Sequence, residues 1–457
     1  MNEPTFDHLQ ADSVATFECY RGSLLADATG LAIADGAVLV EVQDCVTLEL
    51  DGRPLSWGRL TVRAIGRWGD VREAIEHLGT PVQVHDCTGS VLIPGLVNAH
   101  THLDLTHIGP KPFDPGLGFV GFVGVVRSGR AQSDEDITRS VWKGVQYSLR
   151  GGVVAVGDVA GVPGMVPSMV PFKTLSQSPL RGVSYVEYFA VGKGERSGVD
   201  RVRAVLDAAN PDDLEYTGVR LGLQPHATYT VTRQAFADGL ALAAKYGLPL
   251  STHLAEHPEE RAYIAHATGP QRELLEHLGL WDESAMRDVG GGETPISHMQ
   301  GILSQAPFLV AHVNDLSDSD LQILRSTLTH VAYCPRSSAY FKNHEHFGPH
   351  RYRDMLKSGV PVALGTDSII NLPALQESEQ RISTFDEARV LFSRDGTDAL
   401  ELLGMATTRG AAALGLPPSE FTFRMNGGLS GVVAVVGKTL EDALRGSECP
   451  KLLSIGK

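Results

Sequence analysis

The chain has 457 residues, 42% hydrophobic and 20% charged, the proportions of an ordinary soluble globular protein with a sizeable core. Its net charge of −15 comes without a basic cluster, which argues against a nucleic-acid or anionic-membrane surface and leaves room for neutral or cationic small substrates. Met1–Asp7 has no leader pattern, no apolar run is long enough to span a membrane, and the five scattered cysteines fit reduced thiols in a cytoplasmic protein.

The first part of the chain, 1–90, reads as a small β module, with short segments at Gly36–Val42, Val46–Leu50, Leu60–Ile65 and Val82–Asp86. From residue 91 the pattern changes to eight short apolar runs separated by longer segments. The runs are Val91–Ala99, Val153–Val159, Val183–Val191, Val219–Gln224, Pro249–Leu254, Phe308–Val313, His330–Cys334 and Val360–Gly365. Helical patterns such as Thr232–Tyr246 and Ser317–Thr327 lie between them, so 91–416 is expected to form an α/β domain, a (β/α)8 TIM-type barrel. The tail, 417–457, regains turn-and-strand character, and the two ends are expected to meet in one discontinuous small β domain. Two segments are long for barrel loops. Gly109–Arg130, with Pro110, Pro112, Phe113, Phe119 and Phe122, is a candidate lid, and Glu259–Ala306 holds an exposed, mobile-looking patch at Gly290–Gly292.

Chemistry-bearing residues sit where the runs end. His100 and His102, two apart on a strand, point the same way and can clamp one metal ion. Among 17 histidines a lone pair of this kind is weak evidence. It gains weight because the ends of later runs carry His226, His253, His312 and Asp367. Neutral imidazoles with one carboxylate suit a zinc-like or ferrous ion that keeps a position open for water. Glu256, three residues past His253 at the barrel mouth, is placed to reach both water and substrate.

The order of these pieces, with the flanking text PGLVNAHTH, PHATYT, HLAEH, AH, CP and GTDS, resembles the amidohydrolase superfamily from about Leu92 to Leu416. More narrowly it is similar to the mononuclear-metal branch of cytosine, S-adenosylhomocysteine and aminofutalosine deaminases and triazine hydrolases. The resemblance implies that His100, His102, His253 and Asp367 ligate one divalent metal, with zinc favoured over iron. It implies that Glu256 shuttles protons to the leaving nitrogen and that His312 hydrogen-bonds the attacking water or the substrate. It further implies that Asp367 takes a proton from the water, and that His226 helps hold the substrate ring. A homodimer is in keeping with the family.

Three departures from the family pattern warn of an unusual substrate: Cys334-Pro335-Arg336-Ser337-Ser338 after the seventh run, Ile369-Ile370-Asn371 after GTDS, and the missing Asp in Gly428–Ala434. None falls on the implied ligands. Arg127, Arg130 and above all Arg336 are candidates to pair with an anionic substrate group. His344-Glu345-His346 repeats the HxH spacing but follows no apolar run, so a solvated loop is expected there. The sequence thus leads to the expectation of a metal-dependent hydrolytic deaminase of an amino-substituted heteroaromatic ring, acting on a small molecule, with no nucleic-acid or membrane partner. Cyclic amide hydrolysis or triazine dechlorination would use the same apparatus, and a degenerate barrel serving as a binding subunit is the non-enzyme alternative.

Overall fold

The computed structural model describes residues 15–50, 53–116, 118–209 and 218–456. Met1–Asp7 and the Phe119 side chain lie outside that description. Five strands open the chain: β1 (Thr16–Ala26), β2 (Ala32–Ala34), β3 (Gly36–Leu50), β4 (Arg53–Arg67) and β5 (Val82–Pro94). Next come β6 (Leu96–His102), β7 (Val153–Ala160), β8 (Arg181–Tyr188), β9 (Val219–Pro225), β10 (Leu250–Leu254), β11 (Phe308–His312), β12 (Thr329–Tyr333), β13 (Val362–Leu364) and β14 (Asp367–Ser368). The chain ends with β15 (Gly428–Leu429), β16 (Gly431–Val436) and β17 (Lys451–Gly456).

Strands β6 to β14 form one parallel, TIM-barrel-like sheet in the order β13-β12-β11-β10-β9-β8-β7-β6-β14. Only Gly365 and Thr366 separate β13 from β14. The Gly365 N–H donates to Tyr333 O on β12 (2.9 Å) and the Thr366 N–H to His100 O on β6 (3.0 Å). A single chain segment therefore touches both ends of the sheet. Asn98, a polar residue inside an apolar strand, serves this junction: its amide donates to the Thr366 hydroxyl (2.8 Å) and accepts from the Thr366 N–H (3.1 Å). The strands are buried on both faces, as a covered parallel sheet requires, which is why they read as continuous apolar runs.

The second sheet joins the two ends of the chain. β16 lies antiparallel to β5, Val432 opposite Pro94 through Val436 opposite Ser90, and β17 runs parallel to β4. The run expected as one strand, Val91–Ala99, is split between the two sheets at Gly95. The Gly95 N–H donates to Gly431 O of the small sheet (3.1 Å), while the Leu96 N–H donates to Gly152 O beside β7 (3.0 Å). A Cβ on Gly95 would lie 2.4 Å from a Val154 methyl, so only glycine fits the crossing. Both halves are buried, and the sequence shows no polarity change to mark the switch.

The covering helices have readable ends. Asp134–Arg150 starts at Ser133, whose hydroxyl accepts from the Asp136 N–H, and buries Ile137, Val141, Val145 and Leu149 at four-residue spacing. Each such residue contributes about 1.5–3 kcal/mol by leaving water. Arg233–Tyr246 runs from the Thr232 cap to Gly247, at φ 66°. The segment Glu259–Ala306 departs from the loop expected there. It is largely helical: Pro258–His266, Pro270–His277, Glu283–Arg287 and Pro295–Leu303. Prolines in the first turn of three of them, and the Asp282 cap of the other, are the local starts that the long spacing concealed. The candidate lid likewise contains a helix, Gly118–Gly129.

Candidate active site

The strand ends of the parallel sheet bring His100, His102, His253, His312 and Asp367 together, all of them buried. The His100 ring centroid lies 5.1 Å from His102, 5.0 Å from His253 and 5.4 Å from His312. His102 Nε2 is 3.4 Å from His253 Nε2 and 3.4 Å from Asp367 Oδ1. Burial first, then the neighbouring imidazoles, hold His100 and His102 well below the ordinary histidine pKa, which keeps their lone pairs available.

The donor set fits a small divalent cation. A tetrahedral ion with bonds of about 2.0–2.1 Å separates its ligand atoms by about 3.4 Å. That matches the two separations at His102. His100 Nε2 is buried without a hydrogen-bond partner. His253 is oriented from behind, its Nδ1 meeting His226 O at 3.0 Å, which turns Nε2 toward the cluster. Asp367 is held at both oxygens: the Ser368 N–H donates to Oδ1 (2.8 Å) and the Ser337 hydroxyl to Oδ2 (2.7 Å).

Ala255, His312, Val313 and Asp367 all have left-handed backbone, with φ 54°, 76°, 54° and 57°. Such conformations in non-glycine residues cost on the order of 1 kcal/mol or more each and persist where the surroundings over-determine them. Here they aim side chains inward from the strand ends.

Glu256 stands beside this cluster. Its Oε1 lies 3.0 Å from His257 Nε2 and 3.3 Å from His312 Nε2. Burial pushes its carboxyl up, but His257 and His312 outweigh that and hold it well below the usual range. Glu256 is therefore ionised, the state from which a carboxylate can take a proton. Its backbone is fixed by Glu260, whose carboxylate accepts from the Ala255 and Glu256 N–H groups (3.1 and 2.7 Å) and from the Thr228 hydroxyl (2.6 Å). A cavity of about 570 Å³ opens over these residues, lined by His102, His226, His253, Glu256 and Asp367 and walled by apolar side chains such as Leu275. Phe122 and Val123 of the lid helix face it, so the lid segment is a wall of this cavity.

His226 joins the site, but Arg336 does not. The Arg336 guanidinium donates to Glu387 Oε1 (2.5 Å) and Ser383 O (3.2 Å), which makes it a structural partner of a wholly buried carboxylate. Arg336 is not among the residues lining the cavity. Arg130 lines the cavity with its charge engaged by buried Asp104, and Arg127 lines it as well. His344 and His346 are exposed on the helix Asn343–Phe347, away from the cluster. His350, in the same stretch, stacks on Tyr333 at 3.6 Å and donates to His312 O at 2.9 Å.

Sequence reasoning missed several supports. His257 was visible as the last letter of HLAEH, and Ser337 as part of the departing CPRSS text. Glu187 on β8, pushed up to about 7 by burial, carried no local motif. The departures also prove closer to the implied ligands than expected, since Ser337 bonds Asp367 and Asn371 in turn donates to the Ser337 hydroxyl (3.3 Å).

Residues 91–419 match the profile of the amidohydrolase family. The chain belongs to that family. This amidohydrolase is therefore a hydrolase acting on carbon–nitrogen bonds, in a family that uses a divalent metal. It is 29% identical to the aminodeoxyfutalosine deaminase of Deinococcus radiodurans over 374 residues, 78% of this chain and 79% of that one. It is 28% identical to the 5-methylthioadenosine/S-adenosylhomocysteine deaminase of Haloarcula marismortui over 360 residues, 76% of this chain and 73% of that one. Among solved structures, the aminofutalosine deaminase of Helicobacter pylori in complex with methylthio-coformycin superposes with a TM-score of 0.67 at 19% identity, covering 93% of this chain and 95% of that one. A zinc-bound adenosine deaminase from Xanthomonas campestris gives 0.63 at 18%, covering 95% and 90%. These two superpositions establish the fold of the amidohydrolase. Among its described residues no helix is long and apolar enough to cross a membrane.

Proposed function

We propose that this amidohydrolase is a metal-dependent deaminase of an amino-substituted heteroaromatic ring, nucleoside-like or a free base, releasing ammonia. The observation that carries the proposal is the placement of Glu256 within 3.3 Å of His312 at the rim of a donor cluster with tetrahedral spacing. The deaminase names of its relatives support it. We read β6 to β14 as a (β/α)8 barrel whose eighth strand is broken into β13 and β14. We read 1–90 with 417–457 as one small β domain beside a barrel of 91–416.

His100, His102, His253 and Asp367 would hold the metal, with zinc taken over iron on the family resemblance. A bound divalent ion would acidify a water and polarise the site. Ionised Glu256 accepts a proton from the water and passes it to a ring nitrogen. Attack at the amino-bearing carbon forms the C–O bond, and collapse breaks the C–N bond. Glu256 or Asp367 carries the second proton to the departing amine, which leaves as ammonia. His312, 3.3 Å from Glu256, steadies the attacking water through that exchange.

The test is ammonia release by zinc-loaded protein across aminopurine nucleosides, free aminopurines, cytosine and aminotriazines. Turnover of any of these supports the proposal. Silence across the panel from metal-loaded protein overturns it, and release of chloride or ring opening of a cyclic amide would replace it.

A further inference from the structure

We propose that Glu187 and His226 jointly read a hydrogen-bond donor, a hydroxyl or an N–H, on the part of the substrate beside the reacting ring carbon. The inference rests on the deaminase proposal above and names the specificity element of that site.

Glu187 ends the inward face of β8, next to Gln224 of β9, and His226 follows directly on β9. Both line the cavity. Glu187 is 2% exposed, and its Oε1 is buried with no hydrogen-bond partner among the described residues. The nearest imidazole nitrogen, His226 Nε2, is 3.9 Å away, too far for a direct hydrogen bond.

His226 is held from its other side, where the Thr230 hydroxyl lies 2.7 Å from Nδ1. Nε2 is thereby turned toward Glu187. Phe189 and Tyr229 pack edge-on against the ring at 4.7 and 5.6 Å and hold that orientation.

The unpartnered Glu187 oxygen and His226 Nε2 thus converge on one patch of cavity wall. A buried acceptor left unpaired destabilises the free protein, so a donor brought by a ligand is recognised strongly, and a ligand lacking it is rejected. The patch is not where the chemistry occurs. Glu187 and His226 group with His253, whereas Glu256 groups with His312 and Asp367. The group read is a sugar hydroxyl if the substrate is a nucleoside, or a ring N–H if it is a free base.

The experiment compares each parent with its donor-deleted analogue on zinc-loaded protein at pH 8. The pairs are adenosine against its 2′-deoxy and 3′-deoxy forms, and adenine and guanine against their 9-methyl forms. Wild type should prefer one parent by roughly a hundredfold or more in kcat/KM. Glu187→Met should reduce that preference to within about threefold by losing activity on the parent, with metal content unchanged, and Glu187→Gln, which keeps an acceptor, should fall between. A wild type indifferent to every deletion overturns the inference. So does a Glu187→Met variant that slows parent and analogue equally, the mark of a structural role. Calorimetric binding of the same pairs separates the two proposals. Donor-dependent binding lost in Glu187→Met, without turnover, supports the inference and overturns the deaminase reading; binding indifferent to the donor overturns the inference whatever the turnover.

Discussion

His102 and His253 face each other through their Nε2 atoms at 3.4 Å, with ring planes 1° apart. Two neutral imidazoles meeting lone pair to lone pair repel, and a cation shared between them converts that repulsion into binding. His253→Ala should lower metal affinity by at least roughly a hundredfold, read as metal per chain after dialysis. Undiminished metal in that variant would remove His253 from the ligand set.

Glu256 differs, because it touches the cluster without belonging to it. Glu256→Gln preserves shape and removes the proton acceptor. Metal content should stay at the wild-type level while kcat falls by about 10²–10⁴. Full activity in that variant would show that the proton travels elsewhere.

The sequence exposed what repeats and concealed what happens once. His100, His102, His253, His312 and Asp367 were legible because each ends an apolar run, and a parallel sheet puts all such ends on one side. The break at Gly95 was not legible, since both sheets bury that run and hydrophobicity cannot say against what. The partner of Arg336 was hidden for a related reason. The neighbours of Arg336 in sequence belong to the site, but its partner Glu387 lies 51 positions away on a helix whose buried face carries a charge. Glu187 and Ser337 act through atoms that meet only when strands align, which no local spacing reveals.

Ser337 reaches the proposed ligand Asp367 at 2.7 Å and is itself held by Asn371. Removing the hydroxyl leaves the carboxylate free to rotate. Ser337→Ala should weaken metal binding by about 10–100-fold while the fold survives. Competition with a chelator of known affinity measures the change. An unaltered affinity would mean that the Ser368 N–H alone orients the ligand.

Arg336 pairs with Glu387 and does not line the cavity. Glu387 is wholly buried, and stripping it of the guanidinium leaves an uncompensated buried charge. Arg336→Leu should destabilise the protein by about 3–5 kcal/mol in urea unfolding. KM at a temperature where the variant stays folded should not move. A raised KM with unchanged stability would return Arg336 to the substrate.

His350 contributes acid sensitivity of its own, beside the other buried histidines. Burial pushes its pKa down to about 3, against about 6.5 in an unfolded chain. The folded state thus favours the neutral ring, which donates Nε2–H to His312 O and accepts at Nδ1 from the Tyr352 N–H. Below pH 6.5 the unfolded chain binds a proton that the folded chain refuses, so the stability that His350 contributes above pH 6.5 is lost as pH falls toward 3. His350→Gln removes the titration while retaining a donor and an acceptor. Between pH 7 and 5 the wild type should lose stability more steeply than the variant, by up to about 1.4 kcal/mol per pH unit. Parallel curves in urea unfolding would show that the ring takes up its proton inside the fold, and that its stacking on Tyr333 survives the charge.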